Sequence, residues 1–316
     1  MLIDLGLSLG GVLVALVGSQ RAVRHGVSLA QGLGLPAFAV GLVLFSLGTD
    51  LSELTNSVVS ALRGHGDIGA GDAIGSVFTQ ATLILGLLPF LVRQPLAIER
   101  GPLLAVCALT LLGLLLSHLL LQDGRVSRLD GLALAGAWAG ALALLARRGL
   151  APGSPPSGSA PRRRLIDALA VCGWLAVVAA GATAMVMGLT GLSRQLGVPE
   201  YALAFLGASL GTSLPELVVD ITALREGQAA IALGDLLGSC LVDATLAVGA
   251  GPLVLPTRVS PDEVLRGVLL AAAAMLAAAV ALGLRQRHDR RSGVLLIVLY
   301  LTAYVINFGP RAGPIA

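Results

Sequence analysis

Acidic and hydroxyl side chains recur at steps of three and four inside stretches that are otherwise apolar. Thr49, Asp50 and Glu53 form one group, Ser76 and Gln80 a second, Thr212, Ser213, Glu216 and Asp220 a third, and Asp235, Ser239 and Asp243 a fourth. Residues three or four apart share a helix face, so most of each group can aim its oxygens in one direction. Hydroxyls, an amide carbonyl and carboxylates, with no histidine or thiolate among them, are hard donors. They suit calcium, sodium or magnesium rather than zinc or copper. A carboxylate at membrane depth costs roughly 2.5–3.5 kcal/mol on insertion scales, so such groups mark places that bind something. Glycine precedes both Thr49 and Thr212, and Pro215 precedes Glu216. Both features would loosen the helix locally and free backbone carbonyls for a cation.

The elements that hold these groups must live in a bilayer. The chain has 316 residues, 56% hydrophobic and 12% charged, with a mean hydropathy of +0.88, where a soluble domain carries roughly 25% charged residues. That balance excludes a soluble domain. The net charge of +3 comes from 21 arginines and no lysine, scattered through short loops. It speaks for membrane orientation and against a nucleic-acid partner. Cys107, Cys172 and Cys240 sit in apolar runs, without the spacing of a disulfide framework or a zinc site. The acidic start, Met1 to Asp4, lacks the basic region of a secretory signal, so the first apolar segment is expected to remain as a span.

Apolar runs of crossing length predict an all-α integral membrane protein with ten transmembrane helices. The first five are 2–20, 36–62, 73–92, 103–121 and 131–146, and the last five are 165–190, 201–224, 229–254, 264–284 and 293–308. Between them RRGLAPGSPPSGSAPRRR reads as a flexible linker, which divides the chain into 1–146, 147–164 and 165–316. Loops after odd-numbered spans hold 14 arginines and the other face 7. The linker is therefore expected in the cytoplasm and both termini outside the cell membrane.

The halves repeat. At an offset of 163 residues, SLGTDLSEL (46–54) aligns with SLGTSLPEL (209–217), and GDAIGSVFTQATLILG (71–86) with GDLLGSCLVDATLAVG (234–249); 17 of the 41 positions from Ser46 to Gly86 are identical. A half with five crossings ends on the side opposite its start, so the second copy should enter the membrane upside down. Two inverted five-helix repeats with a site at the midplane is a secondary-transporter architecture.

At these motifs the sequence resembles the cation/calcium antiporter superfamily, in particular sodium/calcium exchangers of the prokaryotic type. The resemblance runs over essentially the whole chain. Its signature is a pair of inverted repeats, each a G-T-S-x-P-E element followed by G-N-x-x-G-S-N-x-x-N/D. The resemblance implies that Glu53 and Glu216 are the central calcium carboxylates, with Thr49 and Thr212 lending oxygens. It places Ser76, Gln80, Ser213, Ser239 and Asp243 around the sodium positions. This chain departs from the signature where Asp50 replaces serine, Ser52 proline, Gln80 asparagine, and Asp72 and Asp235 the asparagine after glycine; Val77 and Cys240 replace another asparagine. Asp50 adds a possible fourth carboxylate to Glu53, Glu216 and Asp243, and with it the alternative that protons replace some sodium.

Other readings are open to individual residues. Asp72 and Asp235 are expected to cap the starts of their helices. Asp220 could line a cavity mouth or pair with Arg225. His25, His65 and His288 read as solvated loop residues, and His118 has no partner at metal spacing. GAGD at 69–72 resembles the glycine-aspartate motif of intramembrane aspartyl proteases, but Tyr201, Tyr300 and Tyr304 are not followed by aspartate as those enzymes require. A cation channel would ordinarily draw its acid ring from identical subunits. The expectation is thus a calcium-for-sodium antiporter working by alternating access. It would be no enzyme and would need no cofactor; its substrates are the ions, its surroundings lipid, and no obligatory protein partner is inferred.

Overall fold

The computed structural model describes residues 2–33, 40–92, 96–147, 161–196 and 200–308, and nearly all of them are helical. The long α1 (Leu2–Leu33) comes first. A π-helical turn (Val40–Phe45) then leads into α2 (Ser46–Thr49), Asp50 interrupts the run, and α3 (Leu51–Leu62) continues it. Next, α4 (Gly66–Thr79), a π turn (Gln80–Ile84) and α5 (Leu85–Leu91) make one rod. Strand β1 (Leu96–Ala97), α6 (Arg100–Leu121), β2 (Arg125–Val126) and α7 (Arg128–Leu145) complete the first half.

The second half follows the same plan. It has α8 (Pro161–Leu196), α9 (Glu200–Leu203), a π turn (Ala204–Ala208), α10 (Ser209–Thr212), an interruption at Ser213, and α11 (Leu214–Arg225). Then come α12 (Ala229–Val242), a π turn (Asp243–Ala247), α13 (Val248–Val254), β3 (Thr257–Arg258), α14 (Pro261–Arg285), β4 (Arg287–His288) and α15 (Arg290–Phe308). Most of the linker expected at 147–164, and the start of the 36–62 span, lie outside the described residues.

The sequence reading places several ends wrongly. Helix α1 continues beyond residue 20, so His25 belongs to a helix rather than a loop. Helix α4 begins at Gly66 instead of Ala73. The small residues of GDIGAGD fall between the expected spans, yet they form the first turns of this helix, where Gly66 meets Thr257 and Arg258 and Gly71 meets Tyr201. The turns joining α3 to α4 and α11 to α12 each need one left-handed residue, supplied by Gly64 (φ +76°) and Gly227 (φ +74°).

Four rods form the interior. In the segment Ala229–Val254, 94% of the most apolar window is buried, and 78% in Gly66–Leu91. By contrast α6 and α14 keep large apolar side chains outside, among them Leu112, Leu115, Leu269 and Leu276, each at least half exposed. An outward apolar surface facing lipid and a polar interior suit a membrane protein. The halves interlock reciprocally: α12 packs on the 40–45 turn and α4 on the 204–208 turn. Gly75 meets the backbone of Phe205, and Gly238 that of Leu42. A Cβ at either position would strike main chain, so only glycine permits the approach.

Two short antiparallel ladders tie the ends together. Strand β1 pairs with β4 (Leu96 opposite His288), and β2 with β3 (Arg125 opposite Arg258). The 22 residues of α6 separate β1 from β2, about 33 Å of helix, so the ladders lie at opposite ends. Helices α1 and α8 pack along each other and lean on α11 and α3. They run antiparallel: Gln195 near the end of α8 donates to Asp4 at the start of α1 (2.7 Å), and His25 late in α1 bonds Asp167 early in α8 (3.0 Å).

Candidate functional site

The two interruptions place the chemistry. At Asp50 and Ser213 the backbone leaves helical geometry with ψ of 3° and 4°. Glycine before each threonine, and Pro215 beside the second break, explain why the helices divide here. The residues that follow re-enter a helix, so Glu53 and Glu216 each fall in the first turn of α3 and α11. A helix N-terminus carries a partial positive charge that favours a nearby carboxylate.

Asp50, Glu53 and Glu216 each bring a carboxylate oxygen within 4.8 Å of the other two, and all three residues are fully buried. At an effective dielectric of 20, two ionised groups near 4 Å repel by about 4 kcal/mol. No arginine pairs with them among the described residues. Among the described residues, five of the six oxygens have no hydrogen-bond partner; the sixth, Glu53 Oε2, accepts from the Ser52 hydroxyl at 2.6 Å. Five free carboxylate oxygens, with hydroxyls close by, fit a cation that takes six to eight hard ligands.

The other expected site residues surround this cluster, and all are buried. The Ser76 and Thr212 hydroxyls lie 3.4 Å apart, across the halves. Ser239 stands beside Asp50, and the Ser213 hydroxyl has no protein partner among the described residues. The Thr49 hydroxyl donates to the Phe45 carbonyl at 3.2 Å. Gln80 and Asp243, the first residues of the two central π turns, meet directly, with Gln80 Nε2 donating to Asp243 Oδ2 at 3.0 Å. The tight acid group is therefore Asp50, Glu53 and Glu216, and Asp243 faces it from the side with one oxygen committed to Gln80.

Three expectations need correction. Asp72 and Asp235 do not cap helices; each is the seventh residue of its helix and wholly buried. Asp72 accepts from Asn56 Nδ2 and from Thr212 Oγ1, the latter at 3.0 Å. Of the two readings open for Asp220, the ion pair with Arg225 is not made among the described residues, and Asp220 is fully buried. His288 is no solvated loop residue. It is fully buried, with Nε2 2.6 Å from the Leu85 carbonyl and Nδ1 2.8 Å from the Ser292 hydroxyl. His65 is half-buried and bonds Glu200 at 2.8 Å.

Sequence reasoning passed over Ser52 and Asn56. Ser52 bridges the halves, since its hydroxyl reaches Glu53, the Thr49 carbonyl (3.0 Å) and the Thr212 carbonyl (3.5 Å). The available signal was helical spacing, because Ser52, Asn56 and Ser60 form a polar stripe at steps of four.

Known proteins share both the sequence and the fold. Residues 3–147 and 167–309 match the family described as sodium/calcium exchanger protein. Inner membrane protein YrbG of Escherichia coli (strain K12) is 30% identical over 276 residues, which cover 83% of this chain and 83% of its own length. The putative antiporter CaxA of Alkalimonas amylolytica is 25% identical over 302 residues, covering 92% and 94%. A structure of the sodium-calcium exchanger NCX_Mj, soaked with 10 mM Na+ and zero Ca2+, superposes with a TM-score of 0.72 at 23% identity, over 96% of this chain and 98% of that one. A family match spanning both halves places this chain in the sodium/calcium exchanger protein family.

Proposed function

We propose that the protein exchanges calcium for sodium across the cell membrane by alternating access, with Asp50, Glu53 and Glu216 as the central cation ligands. The observation that carries this reading is the meeting of Glu53, from the first half, with Glu216, from the second, around one buried point. Thr49, Thr212, Ser76, Gln80, Ser213, Ser239 and Asp243 supply the surrounding oxygens. A cavity with several negative charges is costly to seal from water in a low-dielectric membrane, and a bound cation offsets that cost. Occlusion is then allowed only with calcium or a set of monovalent ions in place, which couples the two flows.

Ten crossings in two inverted halves complete the picture. Equivalent loops support the inversion: β1 and β3 occupy matching places in the repeat, yet each pairs with the other's neighbour at opposite ends of α6. The antiparallel α1 and α8, also equivalents, support it again. Leaning on α11 and α3, and carrying none of the central acids, these two helices can slide across the core as a gate.

Proton coupling is the second reading, favoured by the third central carboxylate, Asp50, at a position where the exchanger signature has serine. Calcium-45 uptake into proteoliposomes under an imposed sodium or proton gradient separates the two. The expected result is sodium-driven uptake that falls to background in both Glu53→Gln and Glu216→Gln. Full uptake by either variant would overturn the site.

A further inference from the structure

A second pair of acids adjoins the central cluster, with Asp235 within electrostatic reach of Asp50 and Glu216. Asp220 follows Glu216 by one turn of α11 and Asp235 precedes Asp243 by two turns of α12, about 6 Å and about 12 Å along their axes. The helices form a hairpin through Glu226–Gln228, and the two aspartates are neighbours across it. Both are fully buried; neither oxygen of Asp220 has a hydrogen-bond partner among the described residues, and Asp235 has only the Thr49 hydroxyl beside it. Buried carboxylates without donors are costly.

The first half displays the satisfied counterpart. At the 163-residue offset, Asp220 corresponds to Ser57 and Asp235 to Asp72. Asp72 accepts from Asn56 and Thr212, and Ser57 Oγ accepts the Gly251 N–H at 2.9 Å. In the second half Val219 stands where Asn56 would be, and an acid replaces Ser57. One neutral donor is gone and one carboxylate has been added. Neutral donors satisfy the first half; in the second, Asp235 has only the Thr49 hydroxyl beside it and Asp220 has none among the described residues, so acceptor oxygens outnumber donors, as at a hard-cation site.

Position gives the pair a task. It lies between Glu216 and the hairpin turn, at the end of the molecule where Ala230 and Leu233 line a cavity with Ala97 and Ile98. We propose that Asp220 and Asp235 form a second cation site, a relay for calcium or sodium between the central carboxylates and that end of the molecule. The relay rests on the antiporter reading for its place on the ion route; the binding itself does not.

Equilibrium binding of calcium-45 alone, and of sodium-22 alone, to the full chain in nanodiscs tests this. The intact protein should lose one bound equivalent of either ion in Asp220→Asn/Asp235→Asn. The central variant Glu53→Gln/Glu216→Gln should keep one equivalent that the four-fold variant lacks. Unchanged stoichiometry and affinity for both ions in Asp220→Asn/Asp235→Asn would overturn the site and indicate a proton shared by the two carboxyls. So would a central variant that binds neither ion. Failed exchange with the second equivalent present would sink the antiporter reading alone, and intact exchange without it would sink the second site alone.

Discussion

Asn56 commits its side-chain amide to Asp72, while its own carbonyl oxygen accepts from Ser60 at 3.0 Å. Removing a single donor to a buried acceptor costs about 1–3 kcal/mol. Asn56→Leu is therefore expected to lower the melting temperature of the detergent-solubilised protein by several degrees, read by loss of the monodisperse peak after heating. An unchanged melting temperature would mean that Asp72 is held by Thr212 alone. The contrast between Asp72 and the central acids also explains what was legible in the sequence. Asp50, Glu53 and Glu216 stand out because they interrupt apolar runs at repeated spacing. Asp72 hides because the glycines around it resemble a loop before the 73–92 span, and only tertiary packing reveals that they lie inside a helix.

The rod that carries Gln80 also carries Pro89, and this fixes the role of His288. Proline has no N–H, so the Leu85 carbonyl four residues earlier loses its helical donor. His288 supplies a replacement, with Nε2 donating to that carbonyl from the ladder between α14 and α15. Burial holds the imidazole below its usual value of 6.5, against the opposing pull of the Leu85 bond and Asp289. The folded state thus binds fewer protons than the unfolded one, so stability is full above pH 6.5 and declines as pH falls below it through the lower folded value. His288→Gln keeps a donor without a titrating group, so its melting temperature should vary less between pH 7.5 and 5.5 than that of the intact protein. An equal dependence in both proteins would place the acid sensitivity elsewhere. This contact is invisible in sequence, since 203 residues separate its partners. Hydropathy, by contrast, reveals the existence of the spans well and their ends poorly, because α1 and α4 extend through residues of weak apolar character.

In the proposed inverted arrangement, two halves with the same element order share one core through matching packing surfaces. The reciprocal glycine contacts, Gly75 on Phe205 and Gly238 on Leu42, are that match at the closest points of approach. The proposed inversion can be tested from outside the molecule. Arg63 and Glu226 occupy the same place in the repeat, at the turns joining α3 to α4 and α11 to α12, and both are exposed. In an inverted pair these equivalent turns must face opposite sides of the bilayer, whereas a direct repeat would set them on one side. The arginine-rich side, which includes Arg225, is expected to be cytoplasmic. With Cys107 and Cys240 buried and Cys172 replaced, a membrane-impermeant thiol reagent applied to intact cells should label Arg63→Cys and leave Glu226→Cys unlabelled. Permeabilised cells should show the second site labelled as well. Labelling of both variants in intact cells would contradict the inversion, and labelling of Glu226→Cys alone would keep the inversion but reverse the orientation, bringing both termini into the cytoplasm.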